Sequence, residues 1–329
     1  MTRPAAPLPV LRAAMRISNA FLLDLLWLGS ASGELDYIDT VILVAMVQAN
    51  VAPLDADPAL QLAYATLEAL PPDEVRRPIS VNALAQSLSL PFETVRRRVV
   101  RLREAGRCEI TPQGARVPLQ RLASNVHTRA LQENWALLRT LYLRGRLAGA
   151  LDSRFAAAAA PQPEVPPMRA AVRLASAYFL RVIERLGERS GDLVTGFVLM
   201  AIHRANTASY LDRRPGELPL EPDGLVRDAS RAPVPVLRIA AELGMPEPTV
   251  RRRVLDLLAE GRCQRTPAGI IVPCATFRRP EYVQLMGENY ANLQRLFAGL
   301  AQLGAVQAWE ADFTAARACG GAAAAAPTT

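Results

Sequence analysis

The chain of 329 residues contains no lysine: all 38 of its basic residues are arginine. It has only two histidines, His127 and His203, and four cysteines, none in a Cys-x-x-Cys spacing. Zinc ribbons and disulfide frameworks need clustered ligands or paired thiols, so both are excluded as expectations. A reduced, cytoplasmic compartment is the natural inference, with no metal and no cofactor. Long apolar runs are missing too. The most apolar stretches, Val41–Val47 and Phe197–Ile202, are closed by polar residues. Each is far short of the roughly 20 residues a membrane span requires, so both read as buried core helices. Met1–Arg16 lacks the charged-then-apolar order of a secretion leader. No nucleotide loop and no nucleophile–base spacing occurs, so an enzyme is not expected.

What is present is a globular composition, 50% hydrophobic, with a net charge of +7 and a pI near 9.7. GC-rich codons alone would favour Arg over Lys along with Ala, Pro and Gly. Arginine is also the side chain whose planar fork pairs best with phosphate and guanine. More telling is a repeat. Thr94-Val95-Arg96-Arg97-Arg98-Val99 returns 155 residues later as Thr249-Val250-Arg251-Arg252-Arg253-Val254. Aligning Ile79–Pro118 on Val234–Pro273 needs no gap and gives 19 identities in 40 positions. The chain is a tandem duplication.

Each half carries the same order of elements. An amphipathic helix (Val10–Leu28; Arg169–Leu186) leads to an apolar helix (Leu35–Asn50; Leu193–Asn206), then to a long connection (52–78; 207–233) whose role the sequence leaves open. The first connection has a helical stretch over Ala59–Leu70; the second reads as loop. A short helix follows, Val81–Leu88, which Ser80 can cap. Ser89-Leu90-Pro91, or Gly244-Met245-Pro246 in the second half, makes a turn. A second helix, Phe92–Ala105, stops at Gly106. Two short extended runs around Thr-Pro-Gln-Gly and Thr-Pro-Ala-Gly predict a hairpin. A last helix, Thr128–Leu147 and Tyr282–Leu300, closes each half. The organisation predicted is residues 1–152 as the first repeat, 153–168 as an Ala/Pro linker, 169–316 as the second repeat and 317–329 as a disordered tail.

On a helical wheel Val95, Val99 and Leu102 face inward and Arg97 lies almost opposite, beside Glu93 and Arg101; Arg96 takes one flank and Arg98 edges the core. Val250, Val254 and Leu257 repeat the pattern, with Arg252 outward, flanked by Pro248 and Asp256. A cationic face on the second helix of a helix-turn-helix is where base edges in the major groove are read, so Ser80, Phe92, Glu93, Arg96, Arg97, Arg98 and Arg101, with Glu247, Arg251, Arg252 and Arg253 in the second copy, are the expected DNA contacts. Thr94 and Thr249 suit phosphate or a thymine methyl. Arg116 and Arg265 in the hairpins suit backbone or minor groove. Phe92-Glu93 against Glu247-Pro248 marks where the two copies differ. Ile79–Pro118 carries seven arginines against three acids and Val234–Pro273 six against four, so the first unit should hold phosphate more strongly.

The segment Ser80–Cys108 resembles the winged helix-turn-helix of bacterial transcriptional regulators of the MarR and GntR kinds, through Leu84-Ala85…Leu90-Pro91-x-x-Thr94-Val95-Arg96-Arg97. Two helices before this module and one long helix after it are most similar to the MarR arrangement. That resemblance implies dimers clamped by terminal helices and bound to palindromes. Here two copies are fused, and Pro91 and Pro246 stand where Ser is usual. The fold expected is mainly α with short β-hairpin wings, two tandem winged helix-turn-helix domains flanked by long helices and arranged as a pseudo-dimer. The partner expected is double-stranded DNA carrying an imperfect palindrome, with a nucleoid-associated location and no membrane; further association of two chains is left open.

Asn50, Asn206, Asn134 and Asn289 recur on apolar helices. They either tie helices together or, with Trp135 and Tyr290, line a pocket for a small-molecule effector. Cys108 and Cys263 are either core residues or oxidant sensors. A replication initiator or phage/plasmid control protein with tandem winged helices, and a protein-interaction scaffold with acidic partners, are the alternative functions.

Overall fold

Two polar punctuation marks start the apolar helices of the two halves. The Asp36 carboxylate accepts the Asp39 backbone N–H at 2.9 Å, and Asp192 accepts that of Thr195 at 3.0 Å. Each thereby satisfies an orphan donor of the first turn. The computed structural model describes residues 6–30, 35–157, 160 and 162–324, with side chains to residue 316. In the first half α1 spans Leu8–Ser30, α2 Tyr37–Asp55 and α3 Pro58–Ala63. Next come α4, Val81–Ser87, and α5, Phe92–Glu104. Strands β1, Glu109–Thr111, and β2, Gly114–Arg116, are followed by α6, Leu119–Leu122, α7, Asn125–Leu147, and α8, Arg154–Ala157. The second half repeats the order: α9 is Met168–Ser190, α10 Leu193–Thr207, α11 Val236–Leu243 and α12 Glu247–Ala259. Strands β3, Gln264–Thr266, and β4, Gly269–Ile271, precede α13, Cys274–Phe277, α14, Pro280–Gln302, and α15, Val306–Ala324. The molecule is mainly helical, and its described strands form two small antiparallel hairpins.

The hairpins register Ile110 against Ala115 and Arg265 against Ile270. Each is extended by one residue of the preceding connection. Ile79 exchanges two backbone hydrogen bonds with Ala115, at 2.9 and 2.8 Å, and Val234 does the same with Ile270, at 3.1 and 2.9 Å. Gly114 (φ 136°) and Gly269 (φ 144°) make this approach possible. A Cβ on Gly114 would stand 2.5 Å from the Ile79 carbonyl oxygen.

The long helices of the two halves interlock. α1 packs on α7 and α2 of its own half and on α14 and α10 of the other; α9 packs on α14 and α10 and on α7 and α2. One continuous apolar core runs through both halves. Phe21 lies 6.3 Å from its repeat equivalent Tyr178, and Tyr142 lies 5.5 Å from its equivalent Phe297, centroid to centroid.

Three expectations change. Residues 317–324 belong to α15 and are not an unstructured tail; residues 325–329 lie outside the described residues. Among the described residues the first half offers only α8 at this place. Buried Trp309 and Phe313 seat α15 on α7, with the Trp135 and Trp309 rings 4.9 Å apart. In the first connection the helical stretch shrinks to α3 and is not Ala59–Leu70. Finally α2 outgrows the apolar run Val41–Val47. At 19 residues, with an 18-residue window of mean hydropathy 1.5, it is long and apolar enough to cross a bilayer, but 61% of that window is buried inside this fold.

Candidate nucleic-acid interface

Helix α5 buries Val95, Val99 and Leu102 and α12 buries Val250, Val254 and Leu257. This 3.6-residue stripe docks each helix and fixes which residues it exposes. α4 packs on α5, and α11 on α12. The chain between α4 and α5 turns at Ser89, whose φ is +52°; the second copy has Gly244 there, at φ +60°. Ser80 caps α4 by accepting the Ala83 N–H at 3.1 Å.

The three arginines of each triplet end in different surroundings. Arg96 is exposed and donates to Glu93 at 2.9 and 2.5 Å, which holds the Glu93 carboxyl below its usual range. Arg251 likewise pairs with Glu247. Arg97 and Arg252, in the middle, are exposed and have no carboxylate partner among the described residues. The third arginine is a clamp. Arg98 Nη1 donates to Asp36 at 2.7 and 2.8 Å and to Asp39 at 2.7 Å, joining α5 to the start of α2. Arg253 reaches Asp192, at the start of α10, at 3.4 Å.

Several expected DNA contacts are therefore reassigned. Arg98, Arg253 and Arg101 hold the helix in place, Arg101 through Asp36 and fully buried Asp39. Arg116 is drawn to Glu109 of the hairpin and, at 3.1 Å, to Asp73 of the connection before α4, so its guanidinium is occupied within the protein. Arg265 is exposed and carries no ion pair among the described residues. Phe92, 48% exposed, and exposed Thr249 flank the arginines; Thr94 is half-buried. Sequence reasoning missed Asp36 and Asp192 as clamps. The signal available was an Asp opening the apolar helix in both halves, at the same offset of 156 residues as Asn50 and Asn206.

Of the six residues expected around an effector, Asn50 and Asn206 serve the hairpins instead. Asn50 is wholly buried and wired to the first hairpin. Its amide donates to the carbonyls of Arg77 (2.8 Å) and Ala115 (3.3 Å), and its oxygen accepts the Val117 N–H (3.1 Å). Asn206 makes the same three bonds, to Ala232, Ile270 and Val272. These amides anchor hairpins. Asn289 accepts the Tyr178 hydroxyl at 2.8 Å, and Trp135 packs on Trp309. A cleft of about 370 Å³ lies elsewhere, between Arg139, Leu143 and Arg144 of α7, Asp212 and Phe313. Neither Asn134, Asn289 nor Tyr290 lines it. Burial pushes the Cys108 thiol up to about 11 and the Cys263 thiol to about 12, which keeps both protonated and inert.

What the arrangement can do follows from its charges. Four exposed guanidiniums, two per copy, project from helix starts beside hairpins, and rigid packing holds those helices. Compared with family models, curated proteins and solved structures, the chain matches none.

Proposed function

We propose that the protein is a sequence-specific duplex-DNA-binding transcription regulator. In this reading α4–α5 with β1–β2, and α11–α12 with β3–β4, are two winged helix-turn-helix reading units. The observation that carries the proposal is the pair Arg97 and Arg252: exposed, without a carboxylate, on the outer face of the second helix in both copies. A guanidinium paired with a carboxylate must give up that ion pair to bind DNA; these two need not, Arg97 meeting only the Glu93 carbonyl at 3.4 Å. Arg96 and Arg251 have flexible, exposed partners and suit phosphate. The likeness of the segment Ser80–Cys108 to MarR- and GntR-type modules supports the same reading.

The pseudo-dimer belongs to this proposal. Contacts between repeat equivalents, Phe21 with Tyr178 and Tyr142 with Phe297, support a local two-fold relation between the halves. Two reading units related in this way suit half-sites in inverted order about 34 Å apart, one turn of the duplex. The copies differ at Phe92-Glu93 and Glu247-Pro248, so the half-sites should share a core and differ at one flank. Selection of bound sequences from random duplexes by the whole chain tests this. Two related, inverted half-sites are expected; a single unpaired motif, or no enrichment, would overturn it.

A further inference from the structure

α1 buries two arginines one turn apart, Arg12 and Arg16, and α9 buries their counterparts, Arg169 and Arg173. Three of the four have an acceptor in the protein, although Arg12 Nε is itself unpartnered. Arg173 donates to Asp55 at 3.1 Å and to the carbonyls of Tyr64 (2.8 Å) and Gln61 (3.1 Å). Arg169 donates to Leu67 and Leu122 carbonyls. Arg12 meets the Asp223 carboxylate at 2.5 Å.

Arg16 is the exception. It is 5% exposed, makes no hydrogen bond or ion pair with any described residue, and its buried Nε has no partner. The repeat explains the vacancy. Asp55 lies five residues after Asn50; five residues after Asn206 stands Leu211. The second copy therefore lacks the carboxylate that neutralises Arg173 in the first.

Arg231 and His203 are the titratable groups that lie near Arg16. Arg231 has a side chain 1% exposed. Its Nε is held by Asp228 at 3.2 Å, but its buried Nη1 is unpartnered. The Arg231 guanidinium carbon lies 5.6 Å from the Phe277 ring, and the His203 ring lies 4.7 Å from it. Asn19 Nδ2 donates to the Met200 carbonyl at 2.8 Å, which orients the amide and presents the same nitrogen to His203 Nδ1 at 3.3 Å. His203 Nδ1 is then the acceptor, and Nε2 carries the proton. Burial, then the neighbouring Arg231, pulls Arg16 down to about 10, so it remains a cation at neutral pH. A buried cation without an acceptor is costly, and an anion relieves it.

We propose that Arg16, Arg231 and His203 form a binding site for a small oxyanion, a carboxylate or a phosphate, which takes the place that Asp55 holds opposite Arg173. Its residues come from α1 of one half and from α10 and the connection after it of the other. It is independent of the DNA-reading proposal. Calorimetric titration of the full chain with inorganic phosphate and, separately, with acetate tests it at constant ionic strength. Saturable binding of at least one of the two, one site per chain, is expected; which one binds identifies the ligand class. Affinity should fall at least tenfold in Arg16→Met and in Arg16→Gln, and stay unchanged in the double variant Arg97→Ala/Arg252→Ala. Without added anion, Arg16→Met should melt no lower than wild type, whereas Arg173→Met, which strands Asp55, should melt lower. No saturable binding of either anion, equal binding by the Arg16 variants, or a loss of melting temperature in Arg16→Met matching that in Arg173→Met would overturn the site.

Discussion

Arg97 and Arg98 are sequence neighbours with identical chemistry, and what separates their roles is the carboxylate each can reach. Arg98 finds Asp36 and Asp39 across the interface with α2, and Arg97 finds none. The same selection by neighbourhood governs the histidines. Burial first, then nearby arginines, holds His203 down to about 3 and His127 to about 4. Unfolded, both titrate near 6.5. Their folded values lie below the unfolded one, so their contribution is complete above about pH 6.5 and is lost as pH falls toward 4. At pH 5 unfolding should take up on the order of two protons from them, a slope of about 2.7 kcal/mol per pH unit. Asp24, Asp55 and Glu242, raised by burial, act with the opposite sign at lower pH. Melting temperature should fall between pH 7 and 5, and less steeply in His203→Gln. Equal slopes in the two proteins would show that His203 titrates normally in the folded state.

Turns and hairpins set the next scale. Ser89 occupies a left-handed conformation that Gly244 adopts freely in the second copy. Ser89→Gly should therefore stabilise the protein, by about 0.5–1 kcal/mol in urea unfolding. Gly114→Ala should do the reverse, at about 1–3 kcal/mol from backbone strain alone, since its Cβ meets the Ile79 backbone. No loss in Gly114→Ala would mean that Ile79 does not pair with the hairpin. Elements of this kind were legible in the residues. The valine–leucine stripe of α5, the proline before it and the Thr-Pro-x-Gly turns act over a few positions, and their structural effect is local. The site was legible only in part. The outward placement of Arg97 is a consequence of helical period, but the destination of Arg98 lies 62 residues away and has no periodic signature. Asn50 and Asn206 showed by their recurrence that they matter, while the backbone groups they bind belong to a distant hairpin. Helix α15 escaped notice because its apolar anchors, Trp309 and Phe313, sit in an Ala/Gly-rich sequence and have no counterpart helix in the first half.

At the scale of the whole molecule the duplication is interlocked. α1 and α9 each pack on two helices of the opposite half, so neither half closes its core alone. Residues 1–157 expressed separately should fail to give a stable monomer, aggregating or pairing with a second copy. A cooperatively melting monomer by size exclusion and circular dichroism would contradict the shared core. This interlocking also fixes the two arginine-bearing helices relative to one another, which a reader of paired half-sites requires. The most direct test is fluorescence anisotropy of the full chain on a selected duplex and a scrambled one, titrated with salt, beside Arg97→Ala/Arg252→Ala. The account predicts a steep salt dependence for wild type and a preference for the selected duplex that survives competitor DNA. In the double variant that preference should disappear while residual, salt-sensitive binding remains. Undiminished preference in the double variant, or no binding to either duplex by the wild type at low salt, would contradict it.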